Sequence, residues 1–307
     1  MAPSRSTKSR KGTRTPAAKR PAARPALSGR RAALRRSEIP PAVLRDLNLG
    51  RLEAISLAEW LAIDLTQLLH AVLPQVGFEA ALEPVLAQTV PLSDQGITRR
   101  LRNAGAILHG ALAKEPRRSA IFEKLATHRS DMIRGVAAYV ISADTELGLD
   151  RRLAQTRRFA ADPSPAVRDC ASDAIRLHLA DDVPRALHLL ERWVADKDAN
   201  IRRCAVEATR PGGPSSSRLE RLKQEPKLAL PLLEQVRSDP SRYVQRAVAN
   251  WLNDASRTRP EWVRAVCRRW QSESPTEQTR WIVDRALRTL RQQQKVAKKR
   301  RASRPDG

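Results

Sequence analysis

HRSDMIRGVAAYVIS (128–142), DPSPAVRDCASDAIR (162–176), DKDANIRRCAVEATR (196–210) and DPSRYVQRAVANWLN (239–253) are four copies of one helical phrase, and TEQTRWIVDRALRTL (276–290) is a weaker fifth. Their β-branched anchors Ile133, Val167, Ile201 and Val244 stand 34, 34 and 43 residues apart. A period of that length is one helix–turn–helix unit, which cannot bury its apolar face alone and does so by stacking on its neighbours. The sequence therefore predicts an all-α fold, a HEAT-like α-solenoid of stacked antiparallel helix pairs. Each copy opens on Asp-Pro-Ser or a relative, where Asp or Ser is expected to cap the second helix and Pro to start it. The segment PGGPSSS (211–217) is read as a flexible loop and accounts for the one long spacing.

Working outward, residues 39–90 show apolar positions at helical spacing, punctuated by Asn48, Gly50 and Pro74, and 91–126 read as a further helix pair. The chain has 307 residues, 41% of them hydrophobic but only 4% aromatic, which suits small-residue packing between helices. Of its net charge of +24, eighteen charges fall in the two ends: residues 1–37 hold twelve Lys/Arg and no acid, and 291–307 hold seven with a single Asp. Like-charge blocks poor in apolar residues build no core. The organisation expected is a basic disordered tail (1–38), a solenoid (39–290) and a basic C-terminal tail (291–307). Basic arms seek polyanions, nucleic acid first among them. No apolar run approaches the roughly 18 residues of a membrane span, and the basic start is followed by no apolar segment of secretory type. A cytoplasmic, nucleoid-associated monomer without membrane contact is expected. Cys170 and Cys204 occupy one slot of two copies, as small core residues do, and the five histidines show no metal spacing; no cofactor and no metal are expected.

Within each second helix, anchor position i with i+3, i+4 and i+8 is apolar or small and faces the core. Positions i+2, i+6 and i+9 share another face. In order they are Gly135, Tyr139, Ser142; Asp169, Asp173, Arg176; Arg203, Glu207, Arg210; Arg246, Asn250, Asn253; and Trp281, Arg285, Arg288. Stacking would place these triplets side by side as one polar stripe. Arginines at repeat spacing suit a phosphate backbone. Carboxylates among them do not, and two explanations stand: a salt-bridge ladder between helices, or acids that stabilise a cationic centre. Trp60, Trp193, Trp262 and Trp270 fit core positions. Trp251 lies at the border of core and stripe, and Trp281 on the stripe.

The blocks EATRP (207–211), LKQEPKLALPLLEQVRSDPSRYVQRAVANWLNDASRTRPEWV (222–263) and RALRTL (285–290) resemble the AlkC/AlkD-like DNA alkylation-repair glycosylases; LNLGRLEAISLAEWLAID (47–64) and GITRRLRNAGAIL (96–108) resemble the AlkC branch. The resemblance covers about 40–290. It implies a solenoid that wraps duplex DNA, alkylated DNA included, and hydrolyses the N-glycosidic bond of N3- or N7-alkylated, cationic purines. It implies catalytic acids at Asp173, Glu207 and Asp254, with Asp254 in the best-matched block. Trp251 would line the lesion, and Arg202 or Arg203 would meet a phosphate. With the stripe, the expected DNA contacts are Arg176, Arg202, Arg203, Arg210, Arg246, Asn250, Arg285 and Arg288. Two departures stand out: the acid of SDAIR is Asp where the family commonly has Glu, and GGPSSS follows EATRP where the family carries a segment ending in Trp. Both bear on catalysis, so a non-catalytic DNA-structure binder on the same fold is the rival. A protein-interaction scaffold, the ordinary use of a solenoid, is a second.

Overall fold

The computed structural model describes residues 29–212 and 219–302, with side chains to Val296. Among these residues every regular element is a helix. The N-terminal portion holds α1 (Pro41–Asn48), α2 (Leu57–Ala62), α3 (Leu65–Gln75), α4 (Leu82–Thr89) and α5 (Ile97–Leu112). The repeats follow as α6 (Arg118–Ala126) with α7 (Asp131–Ala143), α8 (Leu149–Ala160) with α9 (Pro165–Arg176), and α10 (Val183–Val194) with α11 (Ala199–Ala208). The next pair sets α12 (Glu220–Gln224) and α13 (Leu230–Glu234) against α14 (Arg242–Ala255), and the last sets α15 (Pro260–Glu273) against α16 (Glu277–Ala286); α17 (Arg288–Ala302) closes the chain. The described residues form an all-α HEAT-like solenoid. Pro226 and Pro231 break the first helix of the fourth repeat into short turns, because neither offers an N–H to a continuous helix.

The second helices pack on one another in the order α5, α7, α9, α11, α14, α16, with the first helices as an outer layer. One core runs between the layers from Leu47 to Ala286 and takes in all four anchors: Ile133, Val167, Ile201 and Val244 are each at most 1% exposed. Cys170 and Cys204 lie in it, as their shared slot predicts. α5, read from sequence as half of a pair, heads the inner row. It approaches α7 closely because position 105 is glycine: a Cβ there would stand 2.4 Å from Cβ of Tyr139.

The repeat loops close only partly as expected: Asp198 caps α11 by accepting the N–H of Asn200, and Pro165 starts α9. Ser164 and Ser241 occupy N-cap positions but make no side-chain cap bond. Instead Asp162, Asp196 and Asp239, five residues before their anchors, accept the backbone N–H of Ser164, Asp198 and Ser241, each at 2.8 Å. The residue after each anchor then folds back over its own loop. Arg134 donates to the carbonyls of His128 and Arg129, Arg168 to Asp162 and Pro163, and Arg202 to Asp196 and Lys197; Gln245 donates to Asp239 and Arg280 to Pro275. Arg134 also forks onto Asp162, and Arg202 onto Asp239, so these latches tie one repeat to the next. A guanidinium suits the task, having enough N–H groups to meet two carbonyls and a carboxylate at once.

The packed unit starts at Ala33, which with Ile39 covers Ala62, ahead of the boundary at 39 that composition suggests. Residues 1–28 of the expected tail lie outside the described residues, as does the expected flexible loop beyond Gly212. At the other end α17 runs across the boundary expected at 290. No helix among the described residues is long and apolar enough to cross a membrane.

Candidate nucleic-acid interface

The inner row brings the stripe triplets side by side, and their i+9 members join helices. Ser142 Oγ donates to the carbonyl of Ala174, and Asn253 donates to the carbonyl of Ala286 and to Thr289. The acids and arginines of the middle helices form a continuous ionic row. Asp169 stands 3.6 Å from Arg203, Arg203 3.2 Å from Glu207, and Glu207 3.2 Å from Arg210; Arg210 Nε donates to Asp254 Oδ2 at 2.6 Å. Glu207 and Asp254 thus share Arg210. Their charges hold its guanidinium above its ordinary pKa although burial opposes this. Of the two explanations for acids among arginines, the salt-bridge ladder is present.

Asp173 belongs to a separate cluster. Arg102 of α5 reaches past α7 to fork onto it at 2.7 and 2.6 Å, and the buried hydroxyl of Tyr139 donates at 2.9 Å. Burial is the largest cause that pushes the Tyr139 phenol well above its usual pKa, so it stays protonated as a donor. Arg102 carries no sign in the sequence: it precedes the repeats and meets its partner 71 residues later.

The three acids differ in what they have left to offer. Both oxygens of Asp173 and both of Glu207 accept hydrogen bonds. Asp254 Oδ1 accepts none among the described residues; Arg257 Nη2 stands 3.7 Å from it. The backbone at Gly212 lies against this carboxylate, where a Cβ would fall 2.2 Å from Oδ2.

The expected DNA contacts divide. Arg202 is a latch, its guanidinium forked onto Asp239. Arg176 is buried and donates to the carbonyls of Glu207 and Gly212; burial lowers its pKa, and it braces the end of α11 from inside. Arg203 lies 4.0 Å from the centre of the Tyr243 ring and shares two acids, and Arg210 is held between two. Asn250 accepts from Arg288, whose pKa is lowered by burial and by neighbouring Arg285. Arg246 and Arg285 are exposed and hold no side-chain hydrogen bond or ion pair among the described residues. Trp251, expected to line the lesion, lies wholly in the core: its indole N–H is taken by the carbonyl and hydroxyl of Thr209, and its ring packs on Trp262. The border position of Trp251 resolves inward because Thr209 supplies the partner that a buried indole needs.

Residues 155–290 match the family described as DNA alkylation repair enzyme. A curated relative, the uncharacterized protein YhaZ of Bacillus subtilis, is 42% identical over 84 residues, which are 27% of this chain and 23% of that one. The solved structure of the Pseudomonas fluorescens alkylpurine DNA glycosylase AlkC, bound to DNA containing an abasic site analog, superposes with a TM-score of 0.61 at 26% identity. It covers 73% of this chain and 62% of that one. AlkD2 from Streptococcus mutans, at 17% identity and a TM-score of 0.52, shares the fold over 67% of this chain and 96% of its own. The chain thus spans under a quarter of the curated relative and about three fifths of AlkC.

Proposed function

We propose that this chain, which carries the sequence of the DNA alkylation repair enzyme family in residues 155–290 on an AlkC/AlkD-like solenoid, binds duplex DNA along its inner row and excises cationic N3- or N7-alkylated purines. The observation that carries the chemistry is the Oδ1 oxygen of Asp254, which accepts no hydrogen bond among the described residues, on an acid that Arg210 holds in place. A purine alkylated at N3 or N7 already bears a positive charge. It leaves as a neutral base when the electron pair of the glycosidic bond moves onto it, so no general acid is required. What needs help is the sugar, which passes through an oxocarbenium-like state, and the water that adds to C1′ and loses a proton. A preorganised carboxylate serves both ends. Glu207 and Asp173, with every oxygen engaged, fit the role of shaping the surrounding charge.

The second explanation, a DNA binder without excision activity, draws on the depth of Trp251 and on the ion pairing of all three acids. Release of 3- and 7-methylpurines from methylated duplex DNA decides between them. With wild-type protein releasing base, Asp254→Asn should lower the rate about 10²–10³-fold, the scale of one preorganised electrostatic group. Its melting temperature should fall as well, since Arg210 loses one of its two acids, so the rate is read per folded molecule. Asp173→Asn should lose stability, because it replaces one of the two acceptor oxygens facing Arg102 and Tyr139 with an amide donor and removes the charge that Arg102 pairs with, and should keep more of its rate per folded molecule. Absence of release by the wild type, together with tight duplex binding, would establish the non-catalytic explanation.

A further inference from the structure

Two aromatic side chains on the inner row each lie beside a pair of arginines. The Tyr243 ring has the guanidinium carbons of Arg203 and Arg168 at 4.0 and 5.1 Å from its centre; the Trp281 ring has those of Arg242 and Arg285 at 4.3 and 5.8 Å. The pairs differ in what their N–H groups do. At Tyr243 they are committed: Arg168 donates to two loop carbonyls and the tyrosine oxygen, and Arg203 faces Asp169 and Glu207. At Trp281 they are not. Arg242 and Arg285 are exposed, and neither side chain has a hydrogen bond or a carboxylate within 4 Å among the described residues. The nearby acid of α16, Asp284, pairs with Arg291 instead. Arg242 and Trp281 sit on different helices, α14 and α16, so the ring bridges adjacent repeats.

We propose that Trp281 organises Arg242 and Arg285 as a clamp for a backbone phosphodiester of duplex DNA. The proposal deepens the duplex-binding part of the function above and is independent of excision. Two uncompensated guanidiniums beside one ring repel each other, and an anion that meets both relieves the repulsion. A π face restricts their motion without consuming any N–H, which leaves both edges for phosphate oxygens. Arg242 lies outside the polar stripe, as the first residue of α14, and sequence periodicity alone passes it over.

The test is a salt titration of full-length protein with an unmodified duplex, with the melting temperature of each variant recorded. Arg242→Ala and Arg285→Ala should each weaken binding and reduce the log–log salt slope by about 1. Trp281→Leu keeps both charges, so it should weaken binding about two- to fivefold with the slope nearly unchanged, and Trp281→Phe should restore most of the loss. In the double variant Arg242→Ala, Trp281→Leu the two effects should not add. Wild-type affinity and slope in both arginine variants would overturn the clamp, as would fully additive effects in the double variant. If Trp281→Leu loses its fold, Trp281→Phe and the two arginine variants decide the matter. The single strand of the same duplex forms the second arm: tighter binding there, with a larger loss in Trp281→Leu, would mean a base stacks on the ring, and would also overturn the clamp. Loss of binding in Arg246→Ala alone would sink the clamp and leave the duplex-binding face standing, whereas no duplex binding by the wild type would sink both.

Discussion

At the residue scale the stripe contains two kinds of arginine that sequence cannot separate. Arg202 and Arg203 are neighbours on α11, yet Arg202 faces the carboxylate and carbonyls of loops while Arg203 lies among acids and a tyrosine ring. Position after the anchor is the signal that would have told them apart, since Arg134, Arg168, Gln245 and Arg280 make the same kind of loop contact. Arg202→Ala should therefore cost about 3 kcal/mol of stability, the scale of leaving one partner of a buried pair behind. Affinity per folded molecule should be unchanged, as chemical denaturation and duplex titration will check. Trp251 was illegible for a related reason: its place on the helix allows either face, and only Thr209, 42 residues away, decides. A third residue offers a pH test. Asp131 is buried against the N–H of Ala54 and the hydroxyl of Ser164, near Arg134 and Glu53; burial raises its pKa from 3.8 to about 6. A pKa raised by folding means that stability is lost as pH climbs from about 4 through 6. Asp131→Asn keeps the shape and removes the titration. Its advantage over wild type should grow across that window to about 3 kcal/mol and then level off, in melts taken from pH 4 to 8. A constant difference would assign the burial cost elsewhere.

At the element scale the sequence was most informative. Anchor spacing located α7, α9, α11, α14 and α16 because each must bury one apolar face against the next. The stripe positions then fell side by side because stacked helices share a register. The N-terminal portion carries no such period, so the place of α5 at the head of the inner row was not foreseeable. What fixes it is a contact, Gly105 against Tyr139. Gly105→Ala improves helix propensity by about 1 kcal/mol. The added carbon, however, would meet the α7 backbone as well as the Tyr139 side chain, with the Tyr139 carbonyl carbon 2.8 Å away. Overpacking of that kind costs about 1–3 kcal/mol. A net fall in melting temperature is expected, with a loss of Tyr139 support for Asp173. A rise would show that α5 and α7 separate freely.

At the scale of the whole molecule, charge is distributed more tellingly than its total of +24 suggests. Eight of the basic residues lie in 1–28, ahead of the packed unit that starts at Ala33. Truncation before Gly29 should weaken duplex binding steeply at low salt and leave the melting temperature in place, whereas truncation through Ile39 should lower it, because Ala33 and Ile39 cover Ala62. An unchanged affinity after the shorter truncation would remove those residues from binding. Within the solenoid, the arginines of α9 and α11 are paired with acids, tied to loop carbonyls or turned inward, while Arg242, Arg246 and Arg285 on α14 and α16 are uncompensated. The inner row is therefore lopsided, near neutral in the middle and positive toward one end. Such a surface behaves as a compass needle in the field of a polyanion. On the proposed duplex-binding function, the protein would turn before it touches, so that a duplex would reach the α14–α16 end first and only afterwards settle over the carboxylates it would otherwise repel. That alignment acts over roughly a Debye length, about 10 Å at 0.1 M salt, and fades as ions are added.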